Sequence, residues 1–187
     1  MIRRQLYADL QAHLARKEIT ILTGARQVGK TTLLKVLQQD LTERGERVLA
    51  FNLDISRDRP YFADQERLLE KIRLEWGEGG GYVFIDEMQR QENAGLFLKG
   101  LYDRDLPYKF VVSGSGSLEL KENIQESLTG RKRLFELPPV SFEEFVHHRT
   151  NYRYEGRLRD FFRTEDKQTT QWLREYLNVG GYPRILT

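Results

Sequence analysis

Lys30 and Thr31 close the run Gly24-Ala-Arg-Gln-Val-Gly-Lys-Thr31, in which two glycines frame four residues and an ammonium and a hydroxyl follow at once. Glycine reaches backbone angles that turn successive peptide N–H groups inward as a nest for an anion. A helix opening near Lys30 adds the positive end of its dipole. In such a loop Lys30 reaches the β- and γ-phosphates of a nucleotide, and the Thr31 hydroxyl is placed to ligate Mg²⁺. The spacing is that of the Walker A pattern. Gly24, Ala25, Arg26, Gln27, Val28, Gly29, Lys30, Thr31 and Thr32 are therefore the candidate phosphate-binding residues. For Arg26 three roles stand open: touching phosphate, pairing with an acidic neighbour, or facing water.

A second set of groups follows downstream. Tyr82-Val-Phe-Ile-Asp86-Glu87 is an apolar run that ends in two carboxylates. If the run is a buried strand, Asp86 emerges at its carboxyl end, where open α/β sheets place ligands. Asp86 then shares the Mg²⁺ shell with Thr31, and Glu87 orients or deprotonates an attacking water. Ser113 and Ser115, in Ser113-Gly-Ser-Gly-Ser117, are candidates for a polar side chain that senses the γ-phosphate or that water; an ordinary Ser/Gly loop is the plain alternative. Asn52 and Asp54 fall at another strand end, and turn chemistry explains them equally well. No Asn-Lys-x-Asp sequence selects guanine, which leans the reading toward ATP.

These groups need a scaffold that brings loop ends together, and the hydrophobic pattern supplies one. Leu6, Leu10 and Leu14 predict an amphipathic helix over about 2–17. A strand is expected at Glu18–Thr23 and a helix from Thr31 to about Arg44, stopped by Gly45. Further strands are read at Arg47–Asp54, Tyr82–Asp86, Tyr108–Ser113 and just after Arg131, with helices within Arg59–Trp76 and at Asn93–Asp103. Strand–helix alternation with near-continuous apolar strands means a parallel sheet covered on both faces. From about Ser141 the chain turns helical and heavily charged, with breaks at Asn151 and Gly156. The expected division is a core over 1–146 and a helical lid or exit segment over 147–187.

Composition narrows the chemistry. Within 187 residues there is no cysteine, which excludes disulfides, zinc–thiolate sites and cysteine nucleophiles. His147 and His148 are adjacent, point in different directions, and are read as surface residues rather than metal ligands. Thirty basic and 28 acidic side chains give a net charge of +2, so no global charge argues for nucleic acid. No apolar run long enough to span a membrane is present, and the expected compartment is the cytoplasm. The segment from His147 to Arg163 interleaves arginines with Tyr152, Tyr154, Phe161 and Phe162. That mixture suits single-stranded nucleic acid, or equally a charged helix face whose aromatics pack inward.

The chain resembles a bacterial and archaeal family of AAA+-superfamily P-loop ATPases. The resemblance runs through Thr23-Gly-Ala-Arg-Gln-Val-Gly-Lys-Thr-Thr32, Phe84-Ile-Asp-Glu-Met-Gln89, Val112-Ser-Gly-Ser-Gly-Ser117, Ser127-Leu-Thr-Gly-Arg131, Leu137-Pro-Pro-Val-Ser-Phe-Glu-Glu-Phe145 and Gly180-Gly-Tyr-Pro183. It implies a three-layer αβα sandwich with a parallel sheet in the order 5-1-4-3-2, a small helical lid, and Mg-dependent ATP hydrolysis. It also implies a further C-terminal domain of nuclease-like character beyond Thr187. Two departures stand out: Ser113 occupies a position where threonine is usual, and Ala25 one where proline is frequent. From the resemblance, Arg131 is the candidate for an arginine supplied to a neighbouring subunit's site, with Arg184 second; a surface cation in the run Arg131-Lys132-Arg133, or a residue pairing with Glu136, is the alternative for Arg131. The implied partners are ATP, further copies of the chain in a homo-oligomer, and a partner protein engaged through the lid or the further C-terminal domain. A nucleotide-gated interaction module with negligible turnover is the alternative to an ATPase, and a P-loop kinase is a third reading.

Overall fold

The computed structural model describes residues 2–115 and 126–186. Five parallel strands form one sheet: β1 (Ile19–Thr23), β2 (Val48–Asn52), β3 (Gly81–Asp86), β4 (Tyr108–Ser113) and β5 (Lys132–Glu136), in the order β2-β3-β4-β1-β5. Read from the other edge, this is the 5-1-4-3-2 order expected from the sequence. The register sets Ile21 opposite Val112 on one side and Leu134 on the other.

Alternation along each strand divides the apolar residues between two faces. Ile19, Ile21, Val83, Ile85, Phe110 and Val112 face α3 (Gln65–Trp76) and α4 (Ala94–Tyr102), where Leu68, Leu69, Ile72, Leu98 and Leu101 close the first core. Leu22, Phe84, Val111 and Phe135 face α1 (Leu6–His13) and α2 (Lys30–Glu43), packing on Leu10, Leu33, Leu34 and Leu37. Every residue of β1 is buried, as befits a central strand covered on both sides.

Local signals set the helix ends. Asp64 caps α3 by accepting from the Arg67 N–H at 2.9 Å, and Gly45, at φ +80°, ends the chain's run out of α2. The first helix is shorter than its leucine spacing suggested. Residues 2–4 are not helical, because Ile2 joins a third apolar cluster and Arg4 is drawn into buried polar contacts. That third cluster joins Val140, Phe145, Val146 and Phe161 with partners from α5 (Phe142–Arg149), α6 (Leu158–Thr164) and α7 (Asp166–Val179). Residue 146, the expected boundary, lies inside α5.

Candidate functional site

The loop 24–29 leaves β1 at the carboxyl edge of the sheet and feeds α2. Gly24 has φ +152°, Gln27 +66° and Gly29 +100°. These left-handed angles favour glycine, and Gln27 accepts them as a non-glycine residue, a local strain of the kind that collects at ligand sites. Gly24 also has no room for a side chain, since a Cβ there would sit 2.4 Å from the Leu137 carbonyl oxygen. The Lys30 ammonium donates to the carbonyls of Gly24 (2.9 Å) and Ala25 (2.8 Å), curled over its own loop. Burial pushes its pKa below the ordinary lysine value; the Glu87 and Asp86 carboxylates oppose that and Arg26 adds to it.

Asp86 ends β3 beside this loop and is buried. Its Oδ2 accepts from the Thr31 hydroxyl at 2.7 Å, and its Oδ1 accepts from the Glu87 N–H at 3.1 Å and from the Ser113 hydroxyl. Thr31, at the amino end of α2, and Asp86 and Ser113, at the carboxyl ends of β3 and β4, therefore form one hydrogen-bonded group. A hydroxyl and one carboxylate beside a phosphate loop fit Mg²⁺, which keeps most of its shell for phosphate and water. Among the described residues, no three His, Asp or Glu side chains gather into a closed metal cage.

Glu87 follows in the left-handed region at φ +61°. Its carboxylate accepts from the Gln89 amide, whose oxygen in turn accepts from the Ser115 N–H at 3.0 Å. Gln89 thus joins the acidic strand end to the loop after β4, a link the sequence reading missed; a polar residue two positions past the Asp-Glu pair was the available signal. Gly116 and Ser117 lie outside the described residues. Asn52 and Asp54 form a local turn, with the Asp54 N–H donating to Asn52 Oδ1 at 2.8 Å, and Asp54 pairs with Arg90 at 2.7 Å.

Two clefts meet at the loop. One, of about 580 Å³, is lined by Arg26, Lys30, Thr31, Glu87, Gln89 and Ser115. The other, of about 1040 Å³, lies behind the loop against Ile2, Tyr7, Val28, Leu33, Val36 and His147. Gly29, Thr32, Pro183 and Arg184 border both. Arg26 is exposed on the wall of the smaller cleft, and Arg184 stands beside its own chain's loop.

Arg131 is placed elsewhere. Its carbonyl accepts from the Ile19 N–H at the start of β1, about 16 Å along the strand from the loop, five residues at about 3.3 Å each. Its guanidinium pairs with Asp103 at 2.7 Å. It therefore cannot reach the phosphate loop of its own chain. The histidines differ from expectation too: both are half-buried, and the His147 ring lies parallel to Tyr152 at 6.2 Å with its Nδ1 buried and unbonded among the described residues. The neighbouring aromatics pack on one another, Tyr154 on Phe161 at 4.6 Å and Phe162 on Phe142 at 5.9 Å. Of the two readings of this segment, inward-packed aromatics is the one the geometry matches.

Arg4 and Glu144 were not singled out from the sequence. They form a buried ion pair at 3.1 Å that joins the N-terminal segment to α5. Glu144 was legible as the fourth residue of a capping box with Ser141, and both halves of that box are present; no sequence signal marks Arg4.

A protein-family model described as an AAA domain matches residues 16–146. The chain is similar to an uncharacterized protein of Mycobacterium tuberculosis, 34% identical over 143 residues that cover 76% of this chain and 30% of the relative. It is also similar to an uncharacterized protein of Methanocaldococcus jannaschii, 26% identical over 95% of this chain and 38% of the relative. One from Haemophilus influenzae is 26% identical over 100% of this chain and 45% of the relative. The chain thus spans less than half the length of these relatives. The glycine loop after β1, the strand that ends in Asp86 and the 5-1-4-3-2 sheet belong together, and the chain is a member of the AAA domain family of P-loop ATPases.

Proposed function

We propose that the chain binds Mg-ATP and hydrolyses its terminal phosphate, using the turnover to move the helical lid and whatever is joined to it. The observation that carries this reading is the convergence of Lys30, Thr31 and Asp86 at one loop whose glycine angles open it to an anion. On this reading the triphosphate occupies the smaller, polar cleft, and the nucleoside lies in the larger one, against Val28, Leu33 and Val36. Lys30 exchanges the Gly24 and Ala25 carbonyls for phosphate oxygens. Thr31 and Asp86 hold Mg²⁺, which would neutralise charge on the phosphates. Glu87 aligns a water and accepts its proton. Ser113, already bonded to Asp86, holds that carboxylate in place.

The experiment is a pair of variants followed by equilibrium binding and by phosphate release. Lys30→Ala should weaken Mg-ATP binding by about 2–3 kcal/mol, the worth of a charge-assisted contact. Glu87→Gln should bind ATP normally and turn over about 10²–10⁴-fold more slowly, the range of general base catalysis. ATP binding by Lys30→Ala equal to that of the wild type would defeat the assigned phosphate contact.

A second reading, a nucleotide-gated module with negligible turnover, is favoured by one observation. Glu87 Oε2 already accepts from the Gln89 amide, which holds the carboxylate in one orientation tied to the loop after β4.

A further inference from the structure

The buried contacts of Arg4 carry an inference that rests on the nucleotide reading of the loop and goes beyond it. Arg4 stands outside every element, in the segment before α1, yet its side chain is 7% exposed. Its Nη1 donates to the Val28 carbonyl at 2.8 Å. Its Nη2 donates to the carbonyls of Pro138 (2.6 Å) and Pro139 (3.2 Å), and its Nε donates to Glu144 Oε2 at 3.1 Å. A planar guanidinium held at all three nitrogens has no freedom left to turn. Glu144 is held as firmly, with Oε1 accepting from the Gln5 N–H at 2.7 Å and Oε2 from the Ser141 N–H at 2.9 Å.

Val28 is the residue before Gly29 in the phosphate loop. A trans peptide unit is planar, and its C=O and N–H point in opposite directions. Whatever grips the Val28 oxygen from behind the loop therefore also aims the Gly29 N–H, toward the side on which an anion would sit. We infer that Arg4 is a positioning residue for the phosphate loop: by fixing the Val28 carbonyl outward, it keeps the Gly29 amide turned into the nest before any phosphate arrives. Glu144 neutralises the guanidinium, so the contribution is one of orientation rather than of added positive field. The gain is a preorganised donor, which spares the ligand the cost of ordering the loop.

A purely structural role, pinning the N-terminal segment to α5, would leave the phosphate contacts indifferent to which end of the ion pair is changed. The probe that separates the two is inorganic tripolyphosphate with Mg²⁺, which carries no base or ribose and so reads the loop alone. Four proteins are compared by titration calorimetry: wild type, Arg4→Lys, Glu144→Gln, and the double variant Arg4→Met with Glu144→Gln, which leaves no lone buried charge. The double variant should lose tripolyphosphate affinity by about 10-fold, the worth of one oriented hydrogen bond to a charge. Glu144→Gln keeps the Val28 contact and should stay within about 2-fold, and Arg4→Lys should fall between them. In ¹⁵N–¹H spectra the Gly29 amide should shift on adding tripolyphosphate in wild type and Glu144→Gln, and much less in the double variant.

A folded double variant that binds tripolyphosphate as the wild type does overturns the inference while leaving the nucleotide site intact. Should the double variant fail to fold, the single variants decide, and equal losses in Arg4→Lys and Glu144→Gln overturn it. Wild-type protein that takes up neither ATP nor tripolyphosphate overturns the nucleotide reading itself, and this inference falls with it.

Discussion

Lys30 and Lys109 are both buried, and burial lowers the pKa of each, with different consequences. Lys30 rests on the Gly24 and Ala25 carbonyls, at the loop where the nucleotide reading puts the phosphates. Lys109, at the opposite edge of the sheet, donates to the carbonyls of Arg16 (2.7 Å) and Glu18. Burial pushes its pKa down to about 8, against a smaller upward pull from the Glu18 carboxylate. The unfolded chain returns it to 10.5. Between those values the unfolded state carries a proton that the native state lacks, so stability from this group rises with pH through that window and is flat below it. The slope is at most about 1.4 kcal/mol per pH unit. Urea unfolding of wild type and Lys109→Met at pH 7.5 and 9.5 should therefore show the wild type gaining about 1–2 kcal/mol on the variant. A constant difference would place the Lys109 titration outside that range.

At the scale of elements, the phosphate loop depends on the turn that follows β5. Leu137 donates its N–H to the Thr23 carbonyl at 2.8 Å, and its own oxygen crowds the space beside Gly24. Gly24→Ala therefore sets a methyl against backbone that cannot swing aside. It should destabilise the fold by about 1–3 kcal/mol, the usual cost of overpacking. For a chain of this size that is about 2–4 °C in melting temperature per kcal/mol. Gly45→Ala is the control: it strains a positive φ but meets nothing within 4 Å. Its melting temperature should fall less.

Strands β1 to β4 were legible because their runs are largely apolar and end in a polar residue, so element type and layer followed from pattern; β5, with Lys132, Arg133 and Glu136 among its five residues, carries no such run, and the 5-1-4-3-2 order came from the family resemblance. The Lys30, Thr31 and Asp86 cluster was legible for a related reason: its members sit at fixed offsets from strand ends. Arg4 was not. Its partners lie more than 130 residues away along the chain or are backbone carbonyls, and neither leaves a trace in local spacing. The late start of α1 escaped for the same reason, since Ile2 and Arg4 answer to α5 and not to the leucines beside them.

For the whole molecule, the position of Arg131 matters most. It lies at the amino edge of the sheet, paired with Asp103, while the phosphate loop lies at the carboxyl edge. An arginine so placed serves a phosphate only on another copy of the chain. If it does, turnover per chain should rise with protein concentration in the wild type, and Arg131→Ala should abolish the rise while leaving ATP binding unchanged. Phosphate release measured across a range of concentrations checks this; a turnover independent of concentration in both proteins would remove Arg131 from the reaction. The relatives are more than twice as long as the stretch they share with this chain.

A Cβ added to Gly29 would meet both Pro183, at 3.8 Å from its Cγ, and Arg4, at 4.0 Å from its Nη1. Residues nearly 180 positions apart in the chain thus come together on a single peptide of the loop. The loop is therefore where the amino- and carboxyl-terminal segments of the described chain approach one another, and a substitution at Gly29 would be met by both.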